Sequence, residues 1–147
     1  MIVVDSLVWI DYFSGTDSPE TDKLDGLLGR EPIGTSELIY ADVLQGFRKD
    51  QDFEVAQKLF ALLTELEMVN AKMAIKSAEY SRYLRGMGIS VRDTIETLIA
   101  TYCIEKRMPL LYRSPNFQHF ENHLHLRNAM RLKSKSSRDS AAVAQSA

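Results

Sequence analysis

The opening apolar run MIVV is closed by an aspartate at position 5. Burying a carboxylate costs several kcal/mol unless something pairs with it. Asp5 therefore either has a partner or ends a strand where water and ligands reach it. Two more acids share the oddity. Asp42 falls among Leu38, Ala41 and Gln45 on one side of a helical stretch, and Glu96 lies one position past Ile95 at the border of an apolar stripe. Each has an ordinary explanation: a helix cap for Asp5, a solvent-facing side chain for Asp42, and for Glu96 a surface pair with Arg92, four residues earlier. Together they weigh more. Clustered carboxylates repel unless a cation sits between them, and hard oxygen donors select Mg²⁺ or Mn²⁺. An ion held this way keeps positions open for water and a phosphate oxygen, so metal-assisted phosphodiester hydrolysis is the matching reaction class. The acids alone do not separate it from other phosphoryl chemistry.

The elements that would position these acids follow from the apolar spacing. Met1 to Val4 is β-branched and suits a strand buried on both faces. Ser6 is a good N-cap for a helix that ends at Gly15, and an amphipathic stretch then runs to Leu28. PIGT (32 to 35) makes a second strand and Ser36 opens the helix SELIYADVLQGF. Apolar residues at 3.6 spacing carry another helix from Asp50 to Leu66, and Glu67 to Val69 forms a short strand. Asn70 caps a helix that reaches Gly86-Met87-Gly88. Ser90 and Asp93 match a capping box ahead of the stripe Ile95, Leu98, Ile99, Tyr102 and Cys103. PLLY (109 to 112) is the last strand, followed by a short helix through Phe117, Phe120 and Leu124. Strands of this length alternating with helices predict an α/β fold with a parallel sheet, and in such folds ligand sites gather at the carboxyl ends of the strands. Asp5 is at such an end.

With 147 residues the chain fits one domain. One cysteine and no apolar run of about 20 residues fit a soluble protein of a reducing cytoplasm, with no membrane span. The net charge of −2 hides an asymmetry: from Arg127 on, five basic residues face one acid, leaving −6 on the first 126 residues. The segment from Ser134 is poor in large apolar residues and is expected to be a disordered basic tail. The division expected is a domain over 1–127 and a tail over 128–147.

The stretches VVDSLVWIDYF, ADVLQGFR, TIETLIATYCIE and LLYRSPNF, in this order, resemble the PIN-domain ribonucleases of the VapC toxin branch. The resemblance implies a three-layer α/β/α sandwich with a central parallel sheet. It implies a Mg²⁺- or Mn²⁺-dependent endoribonuclease, a homodimer, and a small antitoxin protein that occupies the site. The first aspartate of the family falls on Asp5, with Ser6 as the hydroxyl beside it. The usual glutamate falls on Asp42, one methylene shorter, and the usual central aspartate on Glu96, one longer. The acidic positions after the last strand fall on Ser114 and Asn116, which carry no charge. Asp5, Asp42 and Glu96 are then the catalytic acids, with Asn116 completing the metal ligands. Arg92, Arg113, Ser6 and Ser114 contact the RNA substrate. Guanidinium groups match phosphate geometry, although an ordinary ion pair is equally expected of either arginine.

Two alternatives stand beside the nuclease. A degenerate PIN domain that binds antitoxin or RNA with little cleavage follows from the lost charges at Ser114 and Asn116. A phosphoacceptor domain needs a lysine and an acid near the last strand, where Tyr112-Arg113-Ser114 offers neither. His119 and His123 have the spacing of a helical metal pair but lack the adjacent glutamate of a zinc protease motif, and packed imidazoles explain them better. Trp9 and Tyr12 could stack on a base, but aromatics at helical spacing usually belong to a core.

Overall fold

The computed structural model describes residues 1–132. Four strands form one sheet: β1 (Ile2–Val4), β2 (Ile33–Thr35), β3 (Thr64–Glu65) and β4 (Leu110–Leu111). Their order is β3-β2-β1-β4 and every pairing is parallel. The helices are α1 (Ser6–Phe13), α2 (Pro19–Leu27), α3 (Glu37–Leu44), α4 (Asp50–Phe60), α5 (Ala71–Gly86), α6 (Thr94–Glu105) and α7 (Asn116–Leu124).

Parallel strands need crossovers, and right-handed crossovers decide the layers. From β1 to β2 to β3 the chain steps one way across the sheet; from β3 to β4 it returns past β1. The connecting helices therefore fall on opposite faces. Their packing agrees, since α1 meets α2 and α3, and α3 meets α4, while α6 meets α5 and α7. This is the expected α/β/α sandwich. The reversal makes the carboxyl end of β1, between β2 and β4, the topological switch point of the sheet, where α/β folds open a crevice.

The core is built from both layers. Val3, Val4, Leu110 and Leu111 are fully buried, as a sheet covered on both faces requires. Trp9 is also fully buried, edge-on to Phe60 at a centroid distance of 5.1 Å and stacked on Phe13 at 5.9 Å, so it belongs to the core and not to a base-stacking surface. Tyr12 is half-buried, with its hydroxyl donating to Asp25.

Several sequence expectations shift in detail. The helix expected to reach Leu66 stops at Phe60, and the strand expected at Glu67 to Val69 lies earlier, at Thr64–Glu65. A two-residue edge strand exposed on both faces leaves no apolar periodicity to read. Asp5, not Ser6, caps α1, its carboxylate accepting from the Leu7 N–H. Asp93, not Ser90, caps α6. Asn70 caps α5 as expected. In α3 the buried residues are Ile39 and Val43, so Leu38, Ala41 and Gln45 lie on the open side. The ordered body also continues past residue 127: Ala129 is buried, Arg131 pairs with Glu121 at 2.7 Å, and Lys23 donates to the Leu132 carbonyl. The expected tail from Ser134 lies outside the described residues.

One glycine is required by packing. A Cβ on Gly34, in the middle of β2, would stand 2.5 Å from Leu66 Cδ1 and 3.3 Å from Met1 Sδ. Gly34→Val is expected to destabilise the fold by about 1–3 kcal/mol through overpacking, and Gly34→Ala by less because the Leu66 tip can turn aside. Thermal denaturation of the three proteins checks the order; equal midpoints would contradict it.

Candidate active site

The backbone carries Asp5 to the site. Its N–H donates to the Leu111 carbonyl at 2.9 Å, so the β1–β4 ladder extends through this residue, and its carboxylate then turns to cap α1. The side chain is 2% exposed. Burial pushes the Asp5 carboxyl up from 3.8 to about 7; the Ser6 and Leu7 N–H groups pull it down, and the charges of Glu96 and Asp42 push it up further. Both of these charged side chains, Glu96 and Asp42, are acids, and among the described residues Asp5 has no ion-pair partner. Beside it the Ser6 hydroxyl is buried without a hydrogen-bond partner among the described residues.

Glu96 enters from α6. Asp93 accepts from the Glu96 N–H at 3.0 Å, which fixes the first turn and turns the glutamate side chain toward β4. There the Ser114 hydroxyl donates to Glu96 Oε2 at 2.9 Å. The Glu96 carboxyl is held above its ordinary value by partial burial; Ser114 lowers it, Asp93 raises it and Asn116 lowers it. Asn116 opens α7 and Ser114 follows β4; Ser114 bonds Glu96 directly, and Asn116 is near enough to lower its carboxyl. Asp42, half-buried on α3, is near enough to act on Asp5.

The structure thus brings together Asp5, Ser6, Asp42, Glu96, Ser114 and Asn116. It does not make them a closed cage: among the described residues, no three of His, Cys, Asp and Glu stand close enough to hold an ion at once. The arginines stand apart. Arg113 places Nε 2.5 Å and Nη2 3.3 Å from the two carboxylate oxygens of Asp11, so the ion-pair expectation holds for it. Arg92 is exposed in the loop before α6, outside the helix, and forms no ion pair among the described residues. His119 and His123 both lie on α7, while His125 ends it at φ 65. Beneath the site, Cys103 is fully buried, and burial, with Asp5 second, pushes its thiol far above the ordinary range.

Asp93 is the residue that sequence reasoning assigned only to a cap. It stands as an acid next to Glu96, and the D-x-x-E spacing of Asp93 and Glu96 carries that signal. Asp11 gave no such signal, because its partner is 102 residues away.

With this geometry in place, comparison with known proteins decides the family. The PIN domain model matches residues 2–122. The chain belongs to the PIN-domain family. This PIN domain is 28% identical over 119 residues to VapC ribonuclease Mb1587 of Mycobacterium bovis, covering 80% of this chain and 89% of the relative. Ribonuclease VapC11 of Mycobacterium tuberculosis matches with the same identity and coverage. Among solved structures, a chain of VapBC2 from Rickettsia felis, bound to a DNA fragment from their promoter, superposes with a TM-score of 0.68 at 17% identity, over 87% of this chain and 97% of that one. A chain of a toxin-antitoxin complex from Klebsiella pneumoniae superposes at 0.64 and 15% identity, over 86% and 95%. These likenesses establish the PIN fold.

The raised Asp5 carboxyl has a consequence for stability. The folded PIN domain binds this proton more tightly than the unfolded chain, so between about pH 4 and 7 the folded state holds more protons and stability falls as pH rises. The full effect is on the order of 4 kcal/mol. In chelator, Asp5→Asn is expected to melt above wild type at pH 8, with the gap narrowing as pH falls and closing only near pH 4. A gap independent of pH would contradict the buried carboxyl.

Proposed function

We propose that this chain is a VapC-type endoribonuclease toxin that hydrolyses RNA phosphodiester bonds with Mg²⁺ or Mn²⁺ and is neutralised by a small cognate antitoxin. The observation that carries it is the buried Asp5 carboxylate with the acids Glu96 and Asp42 acting on it and no ion-pair partner among the described residues. A deprotonated carboxylate so placed needs a cation, and among the described residues no ion pair to Asp5 supplies one. The two curated relatives, both named ribonucleases, support the reaction, and the toxin-antitoxin neighbours support the partner. A cytoplasmic homodimer completes the reading.

The donor set fits a hard cation, since it consists of oxygen alone: carboxylates of Asp5, Glu96 and Asp42, the Ser6 hydroxyl and the Asn116 amide. Such an ion, when bound, polarises the phosphate and lowers the pKa of water. Asp5 and Glu96 would be its principal ligands. Asp42 would act through a water, in keeping with the open arrangement and the habit of Mg²⁺ to retain several. Ser114 orients Glu96 by its hydrogen bond. Arg92, free of ion pairs among the described residues, would receive an RNA phosphate at the rim. Arg113 would do so less readily while it holds Asp11.

A second reading, a domain that binds RNA or antitoxin and cuts poorly, is favoured by one observation: Ser114 gives Glu96 a hydrogen bond, and the neutral Asn116 lowers its carboxyl, where acids would add charge. Both readings meet in one experiment. Wild type should cleave RNA with Mg²⁺ or Mn²⁺ and not with chelator. Asp5→Asn should lose at least about 100-fold in rate with an unchanged circular dichroism spectrum, and Asn116→Asp should reach half-maximal rate at lower Mg²⁺. Equal cleavage by Asp5→Asn would reject the site. A silent wild type beside an active Asn116→Asp would establish the second reading.

A further inference from the structure

We propose that the cleft beside the acids is a nucleobase subsite that takes guanine, with Glu67 and Ser36 reading its hydrogen-bonding edge. This rests on the ribonuclease reading above. The cleft has a volume of about 450 Å³ and is lined by Ser36, Leu38, Glu67, Met68, Val69 and Ile95, among others. That size is in the range of small-ligand clefts.

Its position ties it to the chemistry. The β1–β2 register pairs Ile2 with Ile33 and Val3 with Gly34, so its continuation sets Ser36 beside Asp5. Ile95 precedes Glu96 on α6, and Ala41, which also lines the cleft, precedes Asp42 on α3. A group seated there is attached one step from whatever lies among the acids.

Its chemistry selects the ligand. The walls are largely apolar, and Val69 is 51% exposed, which suits the faces of a flat heterocycle. Among the described residues the lining holds carboxylates and no basic residue, which disfavours a phosphate and favours a group rich in N–H donors. Ser36 is 1% exposed and its hydroxyl has no hydrogen-bond partner among the described residues, although it sits at the N-cap of α3. A buried hydroxyl is rarely left this way, and a ligand would satisfy it. Of the two glutamates in the lining, Glu67 directly precedes the wall residues Met68 and Val69. Among the described residues Glu67 forms no ion pair. Guanine presents N1–H and N2–H side by side, matching the two oxygens of one carboxylate, and its O6 accepts from a hydroxyl. Adenine and cytosine offer a donor beside an acceptor, and uracil offers one donor between two carbonyls.

Two measurements on the full chain test this. In the first, guanosine, adenosine, cytidine and uridine are titrated in chelator while amide resonances of Leu38, Val69 and Ile95 are followed. Guanosine should bind about tenfold more tightly than uridine, or better. N-acetylarginine amide, which carries a similar planar fork of donors, is titrated beside them. In the second, Mg²⁺-dependent cleavage of a randomised RNA is mapped for wild type, Glu67→Gln and Ser36→Ala. Wild type should favour guanine at one position flanking the cut. Glu67→Gln should lower the guanine-over-uracil ratio in kcat/KM about tenfold, and Ser36→Ala should lower it less. Equal nucleoside binding, or a guanine preference unchanged in Glu67→Gln, overturns the proposal. So does tighter binding of the arginine amide than of guanosine, which would assign the cleft to a protein side chain. If wild type cuts no RNA, the ribonuclease reading fails while the nucleoside titration still decides the cleft.

Discussion

The rest of the site depends on one carboxylate held in the wrong medium. Asp5 sits where the β1–β4 ladder ends, buried, capping α1, and surrounded by charge of its own sign. Its capping bonds alone do not restore its ordinary acidity, because the carboxyl remains at about 7. A fold optimised for stability would place a neutral side chain here. The strand order explains why this position is kept for ligands: β1 lies between β2 and β4, and the chain reverses across it. Loops and helix ends from several parts of the sequence must then converge on its carboxyl end. The destabilisation at Asp5 is local and is offset by a core that includes Trp9, Phe60, Phe117 and Phe120, all fully buried.

The surrounding residues adjust that charge without removing it. Ser114 and Asn116 each lower the Glu96 carboxyl, whereas acids in those places would raise it. Glu96 is thereby kept closer to its ionised form than a four-acid cluster would allow, at the cost of direct attraction for a cation. The swap of lengths at Asp42 and Glu96 works in the same direction. The longer side chain comes from α6, where Ser114 steadies it, and the shorter one from α3, where it remains half-buried and acts on Asp5 at a distance.

Much of the fold was legible because its signals are local. The β-branched run before Asp5, the Asn70 cap and the α6 stripe each depend on neighbours within one or two turns. The sheet edge was not legible, since Thr64–Glu65 is exposed on both faces and gains its identity only by pairing with β2. The caps were misplaced by one and three residues because Ser6 and Ser90 are good cap residues beside aspartates that cap better in this context. At the site, the residue types at Asp5, Asp42 and Glu96 were informative from sequence. The hydrogen bond from Ser114 to Glu96 and the pairing of Arg113 with Asp11 were not, because they join residues 18 and 102 positions apart. The cleft at Ser36 was hidden for the same reason: it is assembled from α3, α6 and the segment after β3.

Whether the buried acid is held for a divalent cation can be tested by calorimetry, without requiring catalysis. Mn²⁺ is titrated into metal-free protein at pH 6 in two buffers of different ionisation enthalpy, which yields the number of protons exchanged per ion bound. With Asp5 largely protonated at that pH, binding should release close to one proton, and the affinity should rise between pH 6 and pH 8. Binding without proton release, or the absence of binding at either pH, would contradict the account.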